Sequence, residues 1–226
     1  MQVVVTHLTT PRVQPRLRNV TRAGTPQPPP PERPVTIGGE NLPCHHRPTT
    51  RRERTIGGIE TARLTLVACS AELAGALLAD LGRAQELLGA AVPEGWPDAE
   101  LEEILPAYID RLEADPAACD YGAWVIVARE QRAVVGSAGF LGPPGDDGAI
   151  ELGYGIHPPY RRSGYATEAA AALVRWGLSR PGVRRIVARC EDTNTASIQV
   201  LEKIGMRRTG ASEGMIAWVA EPVSAA

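Results

Sequence analysis

Residues 157–169 read HPPYRRSGYATEA. Two prolines, two arginines, a glycine and a run of helix formers describe a strand that stops, a tight turn and a helix that starts at once. The first N–H groups of a helix lack partners within it, and the helix dipole adds partial positive charge there. With Arg161 and Arg162 alongside, the turn suits an anion, phosphate above all. Two common phosphate motifs do not fit. The dinucleotide fingerprint needs G-x-G-x-x-G, whereas Gly153, Gly155 and Gly164 have another spacing and the first two precede the turn. A P-loop needs Gly-Lys followed by Ser or Thr, which does not occur. The alternative for this stretch alone is a connecting turn with solvated arginines.

The flanking sequence must supply the elements that hold this turn. Residues 62–68 alternate as a strand, with Leu64 and Leu66 on one face. Ser70 fits a helix N-cap with Glu72 in the first turn, and helical spacing runs to Leu88 as two short helices broken near Gly82. Residues 92–97 form a loop, and 98–114 a helix kinked or broken at Pro106. Strands at 123–130 and 133–142 meet at a Gln131-Arg132 turn. A third strand, 149–158, contains glycines that suggest a bulge or a close approach. Helix 164–179 has an apolar face of Ala166, Ala169, Ala170, Leu173 and Trp176. Strand 184–190, a helix over 194–205 ending at Gly205, and two final strands at 206–210 and 214–221 complete the order. The predicted fold is α/β, with a single mixed, mostly antiparallel sheet of six to seven strands flanked by helices.

Composition narrows the function. Net charge is −2 over 226 residues. Residues 1–59 hold nine arginines and three glutamates (+6), and residues 60–226 hold 15 basic and 23 acidic side chains (−8). The first segment also has ten of the 20 prolines, so 1–59 reads as a disordered Pro/Arg-rich tail and 60–226 as the folded domain. An acidic body favours a cationic substrate over nucleic acid, and the tail lacks interleaved aromatics for stacking on bases. No apolar stretch is long enough to span a bilayer, so no membrane partner is expected. The start lacks a signal-peptide pattern, so a cytoplasmic location is expected. Four widely spaced cysteines without a C-x-x-C pair read as unpaired thiols. Cys44, His45 and His46 stand in a row with no distant partner pair, a poor tetrahedral set, so no metal is expected.

The turn has companions. Arg161, Gly164 and Ala166 match Arg/Gln-x-x-Gly-x-Gly/Ala, the acetyl-CoA signature of the GNAT N-acetyltransferase superfamily, and Ile156 and Pro158 match its apolar-x-Pro lead-in. Downstream, EDTNTASIQVLEKIGM carries Asn-x-x-Ser ahead of Leu-Glu-Lys-x-Gly. Over about residues 60–221 the chain resembles this superfamily, in the branch of ribosomal-protein N-terminal (alanine) acetyltransferases.

The resemblance implies transfer of an acetyl group from acetyl-CoA, as cosubstrate, to a primary amine by direct attack on the thioester. The acceptor is a protein N-terminus or a small-molecule amine. The pyrophosphate would lie on N–H groups of Arg161, Arg162, Ser163, Gly164, Tyr165 and Ala166. The strand ending at Ile156 would offer main-chain groups to the pantetheine arm and the acetyl carbonyl, and Asn194 would reach the pantetheine region. Glu151 is the candidate base; its alternative is a solvated or ion-paired strand residue. Many members place a proton-donating tyrosine where this chain has Leu201. Ser197 is the branch's substitute, though a serine there can equally cap the helix. His157 belongs to the turn rather than the base. Glu191 and Asp192 flank the mouth, as attractors of a cationic acceptor or as a solvated pair. The competing function is an acyl-CoA-binding sensor or partner module with little catalysis. A monomer or homodimer is expected.

Overall fold

The computed structural model describes residues 58–222. Its strands are β1 Gly58–Glu60, β2 Leu64–Ala68, β3 Ala123–Ala128, β4 Ala133–Phe140, β5 Ala149–Ile156, β6 Arg185–Glu191, β7 Arg207–Ser212 and β8 Met215–Ala220. They form one sheet in the order β1-β2-β3-β4-β5-β6-β8-β7. Only β5 and β6 run parallel; the other neighbours are antiparallel. The helices are α1 Ala71–Ala79, α2 Leu81–Leu88, α3 Ala99–Ala114, α4 Tyr165–Leu178 and α5 Thr195–Lys203. The α/β class and the mixed sheet agree with the sequence reading, but the sheet has eight strands rather than six or seven.

The additional strand is β1, which begins two residues inside the stretch assigned to the tail. Three residues carry no periodic signal; β1 is defined by pairing, with Ile59 opposite Leu66 on the β2 edge. The rest of the 1–59 tail, including Cys44, His45 and His46, lies outside the described residues. Cys69 and Cys190 are free and buried, and Cys119 is buried as well.

Alternation along the strands produces two cores. On one face Leu64, Leu66, Ile126, Ile150, Leu152 and Ile186 pack under α4 and α5. On the other, Val67, Val125, Val127 and Val134 pack under α1, α2 and α3. Trp176 of α4 anchors its helix by ring contacts, edge-on to Trp124 at 5.3 Å and stacked with Phe140 at 5.9 Å. The C-terminal end of α4 is thus held by an aromatic cluster, at the opposite end from the turn that precedes the helix.

Two local expectations need correction. The α1–α2 break falls at Asp80 rather than Gly82, because the Asp80 carboxylate accepts from the Arg83 N–H and so starts a new helix. Pro106 does not break α3. It lies on the exposed face, where water can satisfy the carbonyl that proline leaves unbonded, while Leu101, Leu105, Tyr108 and Leu112 form an unbroken buried stripe. The Tyr108 hydroxyl ties that stripe to the sheet by donating to the Cys69 carbonyl at 2.8 Å.

The close approach lies between β4 and β5 and is required by a glycine of β4. Gly153 pairs with Gly139, and a side chain on Gly136 would meet the Gly155 carbonyl oxygen at 2.1 Å. The bulge sits on β4, where the register with β3 shifts between Ile126 and Val127.

Candidate active site

After β5, a short 3-10 turn over Pro158–Tyr160 leads into α4. Arg162 has φ +65° and Gly164, the N-cap of α4, has φ +81°. Both are left-handed, and they swing the chain so that consecutive N–H groups face out ahead of the helix. The N–H groups of Arg162, Ser163, Gly164, Tyr165 and Ala166 donate to no acceptor among the described residues. The Arg161 N–H differs, because it donates to the Pro158 carbonyl at 3.2 Å. Its side chain turns back as well, with Nε donating to the Ile156 carbonyl at 2.9 Å. Arg161 therefore braces the turn against the end of β5, and Arg162 is the exposed cation.

The turn opens onto a gap in the sheet. The β5–β6 ladder ends at Glu151 opposite Val187. Beyond it β5 continues to Ile156 paired only with β4, and β6 continues to Glu191 paired only with β8. The strands splay, and the inner edge of β5 over 152–156 has no strand to pair with. This is a place where an extended ligand arm can bond main-chain groups.

The wall opposite β5 is the start of α5. Asn194 is its N-cap; Oδ1 accepts from the Ser197 N–H at 3.1 Å. Asn194 is thus committed at least partly to capping, in addition to any role toward a ligand. Ser197 is not the cap but the residue whose N–H is capped, and it is itself buried. Leu201, one turn on, is 1% exposed and packed in the core.

Glu151 lies on the sheet face of α1–α3, since its neighbours Ile150 and Leu152 point into the α4 core. It accepts two bonds from Arg189, at 3.0 Å from Nε and 2.9 Å from Nη2. The bond to Glu151 raises the Arg189 pKa, against the opposing effect of partial burial. The site thus holds Glu151 as the ion-paired residue that was its structural alternative. His157 ends β5, its N–H donating to the Val135 carbonyl at 2.9 Å. The 92–97 loop comes close to it, because a side chain on Gly95 would stand 3.8 Å from the His157 ring. Asp192 donates its N–H to the Gly214 carbonyl at 2.8 Å, which brings the β7–β8 turn to the mouth. Glu191 and Asp192 are exposed.

A family model described as "Acetyltransferase (GNAT) domain" matches residues 63–207. The chain belongs to the GNAT acetyltransferase family. A relative from Bacillus subtilis (strain 168), "Uncharacterized N-acetyltransferase YjdG", is 37% identical over 147 residues, which is 65% of this chain and 88% of the relative. A second from the same organism, "Uncharacterized N-acetyltransferase YnaD", is 32% identical over 53% of this chain and 65% of its own length. Solved structures share the GNAT fold. A putative ribosomal-protein-serine acetyltransferase from Vibrio cholerae has a TM-score of 0.52 at 22% identity, covering 73% of this chain and 97% of its own. RimL, a ribosomal L7/L12 alpha-N-protein acetyltransferase solved with coenzyme A, has a TM-score of 0.53 at 19% identity, covering 73% and 97%.

The GNAT signature named the turn but missed what fixes it. Arg63, just before β2, reaches the start of α4. Its N–H and Nε donate to Glu168 at 2.8 and 2.7 Å, and Nη1 donates to the Ser163 carbonyl at 2.9 Å. Its guanidinium also lies over the Tyr165 ring, 4.8 Å from the centroid. Thr61 adds a hydroxyl bond to Glu168 at 2.6 Å. Burial pushes the Glu168 pKa up, but the bonds from Thr61 and Arg63 outweigh it, and the net shift is downward. These partners are about a hundred residues apart in sequence, and only an acid in the first turn of α4 hinted at a role.

Proposed function

We propose that this GNAT protein moves the acetyl group of acetyl-CoA to a primary amine by direct attack on the thioester. The observation that carries the reading is the row of unpaired N–H groups from Arg162 to Ala166 at the start of α4, beside the gap between β5 and β6. A pyrophosphate on those groups gains from both hydrogen bonds and the dipole of a 14-residue helix. From there the pantetheine arm runs down the free edge of β5 toward the splay, where a backbone N–H can receive the developing oxyanion. Binding both reactants across one gap supplies proximity, which is the main demand of amine attack on a thioester.

The amine arrives from the α1–α3 face, between the 92–97 loop and the β7–β8 turn. Glu151 stands on that face. With both oxygens engaged by Arg189, it accepts the amine's proton as one of those bonds opens. Glu191 and Asp192 at the mouth draw a cationic acceptor inward. One structural neighbour, RimL, is named a ribosomal L7/L12 alpha-N-protein acetyltransferase, which supports a protein N-terminus as acceptor; a small amine uses the same chemistry. Among the described residues no helix is long and apolar enough to cross a membrane.

Burial of Leu201, where a hydroxyl could stand, favours the second reading, an acyl-CoA-binding module with little turnover. Release of free thiol from acetyl-CoA, with a peptide carrying a free N-terminal alanine and with spermidine, separates the two. The transferase reading expects amine-dependent thiol release and an acceptor heavier by one acetyl group. Binding of acetyl-CoA with no amine-dependent release refutes it.

A further inference from the structure

One phenol crosses the splay. Tyr154 lies in β5, three residues beyond the last β5–β6 pair, on the face that carries α4 and α5. Its hydroxyl donates to the Ser197 carbonyl in the first turn of α5, at 3.4 Å. That length is at the weak end for an O–H donor, so the proton can turn to a better acceptor at little cost. The Ser197 side chain also touches the phenol, and the Cys190 thiol lies near enough to act on it electrostatically. Tyr154, Ser197 and Cys190 thus converge where the inner edge of β5 faces α5. No other tyrosine stands at this gap: Tyr108 and Tyr121 lie elsewhere in the cores, Tyr160 is in the 3-10 turn and Tyr165 starts α4.

We propose that Tyr154 is a catalytic residue whose hydroxyl hydrogen-bonds the departing sulfur of coenzyme A, a role that rests on the acetyltransferase reading above. The acetyl carbonyl sits against β5, so its sulfur sits in the gap the phenol spans. The amine nitrogen's lone pair forms the C–N bond, and the C–S bond breaks with its electron pair left on sulfur. The Tyr154 O–H turns from the Ser197 carbonyl to that thiolate and holds it. The nitrogen loses one proton to the base, and the thiolate gains one from water, giving amide and free thiol. The phenol keeps its own proton. Burial pushes its pKa well up, against the Ser197 side-chain bond that pulls it down, so it remains a donor throughout the range in which amines are nucleophilic. Leu201 then needs no hydroxyl, because the donor comes from the opposite wall of the gap.

The test is Y154F, which keeps the ring and removes the donor. With acetyl-CoA and the alanine peptide or spermidine, kcat falls about 10- to 100-fold, the size of one charge-assisted hydrogen bond. The Kd of coenzyme A stays within about twofold, because the bond forms only as the sulfur gains charge. The decisive comparison uses an acetyl thioester of a pantetheine analogue ending in an aryl thiol, whose thiolate is less basic and needs less help. There the loss in Y154F shrinks below about threefold. Near-wild-type kcat with acetyl-CoA, or equal losses with both donors, overturns the inference and leaves the transferase reading intact. A wild-type protein without amine-dependent thiol release overturns the reading and the inference together. If Y154F does not fold, trifluorotyrosine at position 154 keeps the shape but ionises well below the tyrosine it replaces, although the same burial raises both. Its kcat then falls as pH carries the fluorinated phenol through ionisation, and an unchanged pH profile overturns the inference.

Discussion

Replacing Arg63 by alanine separates the turn from the segment that braces it. Three contacts disappear: the 2.7 Å ion pair to Glu168, the 2.9 Å bond to the Ser163 carbonyl and the stack on Tyr165. The guanidinium side chain is 49% exposed, so the ion pair contributes at the surface scale, below about 1 kcal/mol. The bond to a neutral carbonyl adds about 1 kcal/mol and the exposed stack about 0.5 kcal/mol. The expected loss of stability is about 2 kcal/mol, read as a lower denaturation midpoint in urea at unchanged slope. Of this, about 1–1.5 kcal/mol acts directly on Ser163 and Tyr165, within the row of N–H groups. If the row must be held to receive pyrophosphate, R63A weakens coenzyme A binding about three- to tenfold. Titration calorimetry of coenzyme A against both proteins measures it. R83A is the control, since it removes the exposed pairs to Glu72 and Glu86, far from the turn. A variant that loses the predicted stability yet binds coenzyme A as tightly as wild type refutes the claim that Arg63 positions the turn.

Gly164→Ala forces a side chain into φ +81° and against Arg63 Nη2 at 3.3 Å; it should cost about 1–2 kcal/mol of stability, and coenzyme A affinity measured by calorimetry should fall more than stability does. Glu168 has a folded pKa below its ordinary 4.5, so its contribution is fully present above that value and lost as pH falls through the folded pKa. The stability gap between wild type and E168Q, followed by urea melts, should therefore close progressively below about pH 4.5. Burial pushes the Cys69 thiol up to about 12 and raises that of Cys190, so at pH 8 a chromogenic disulfide reagent should label both only as fast as the protein opens. Prompt labelling of either in the native protein contradicts that burial.

What could be read in the sequence was whatever the chain writes locally. The β3–β4 hairpin, the capped start of α1 at Ser70 and the turn ahead of α4 each follow from residues within a few positions of one another. Pro106 left kink and break both open in the sequence because proline's penalty depends on which face it occupies, and the helical stripe beside it decides against the break. β1 was missed because three residues have no period to detect; their strand character comes from β2. The site divides in the same way. Its N–H row is local, and the sequence motif located it.

The contacts around that row join distant positions: Arg63 with Glu168, Glu151 with Arg189, and Tyr154 with Ser197. Two of these pairs face each other because β5 and β6 run side by side for only three residues before parting. Had the ladder continued, Tyr154 would lie over a closed sheet with no gap to span, and the edge of β5 would be spent on β6. The short parallel pairing is therefore the structural cause of the opening at the candidate site. It leaves an unpaired strand edge, two walls with different side chains, and a helix start at one end of the opening. A motif search detects only the last of these, so the turn ahead of α4 was legible in the sequence and the contact of the Tyr154 hydroxyl with the Ser197 carbonyl was not.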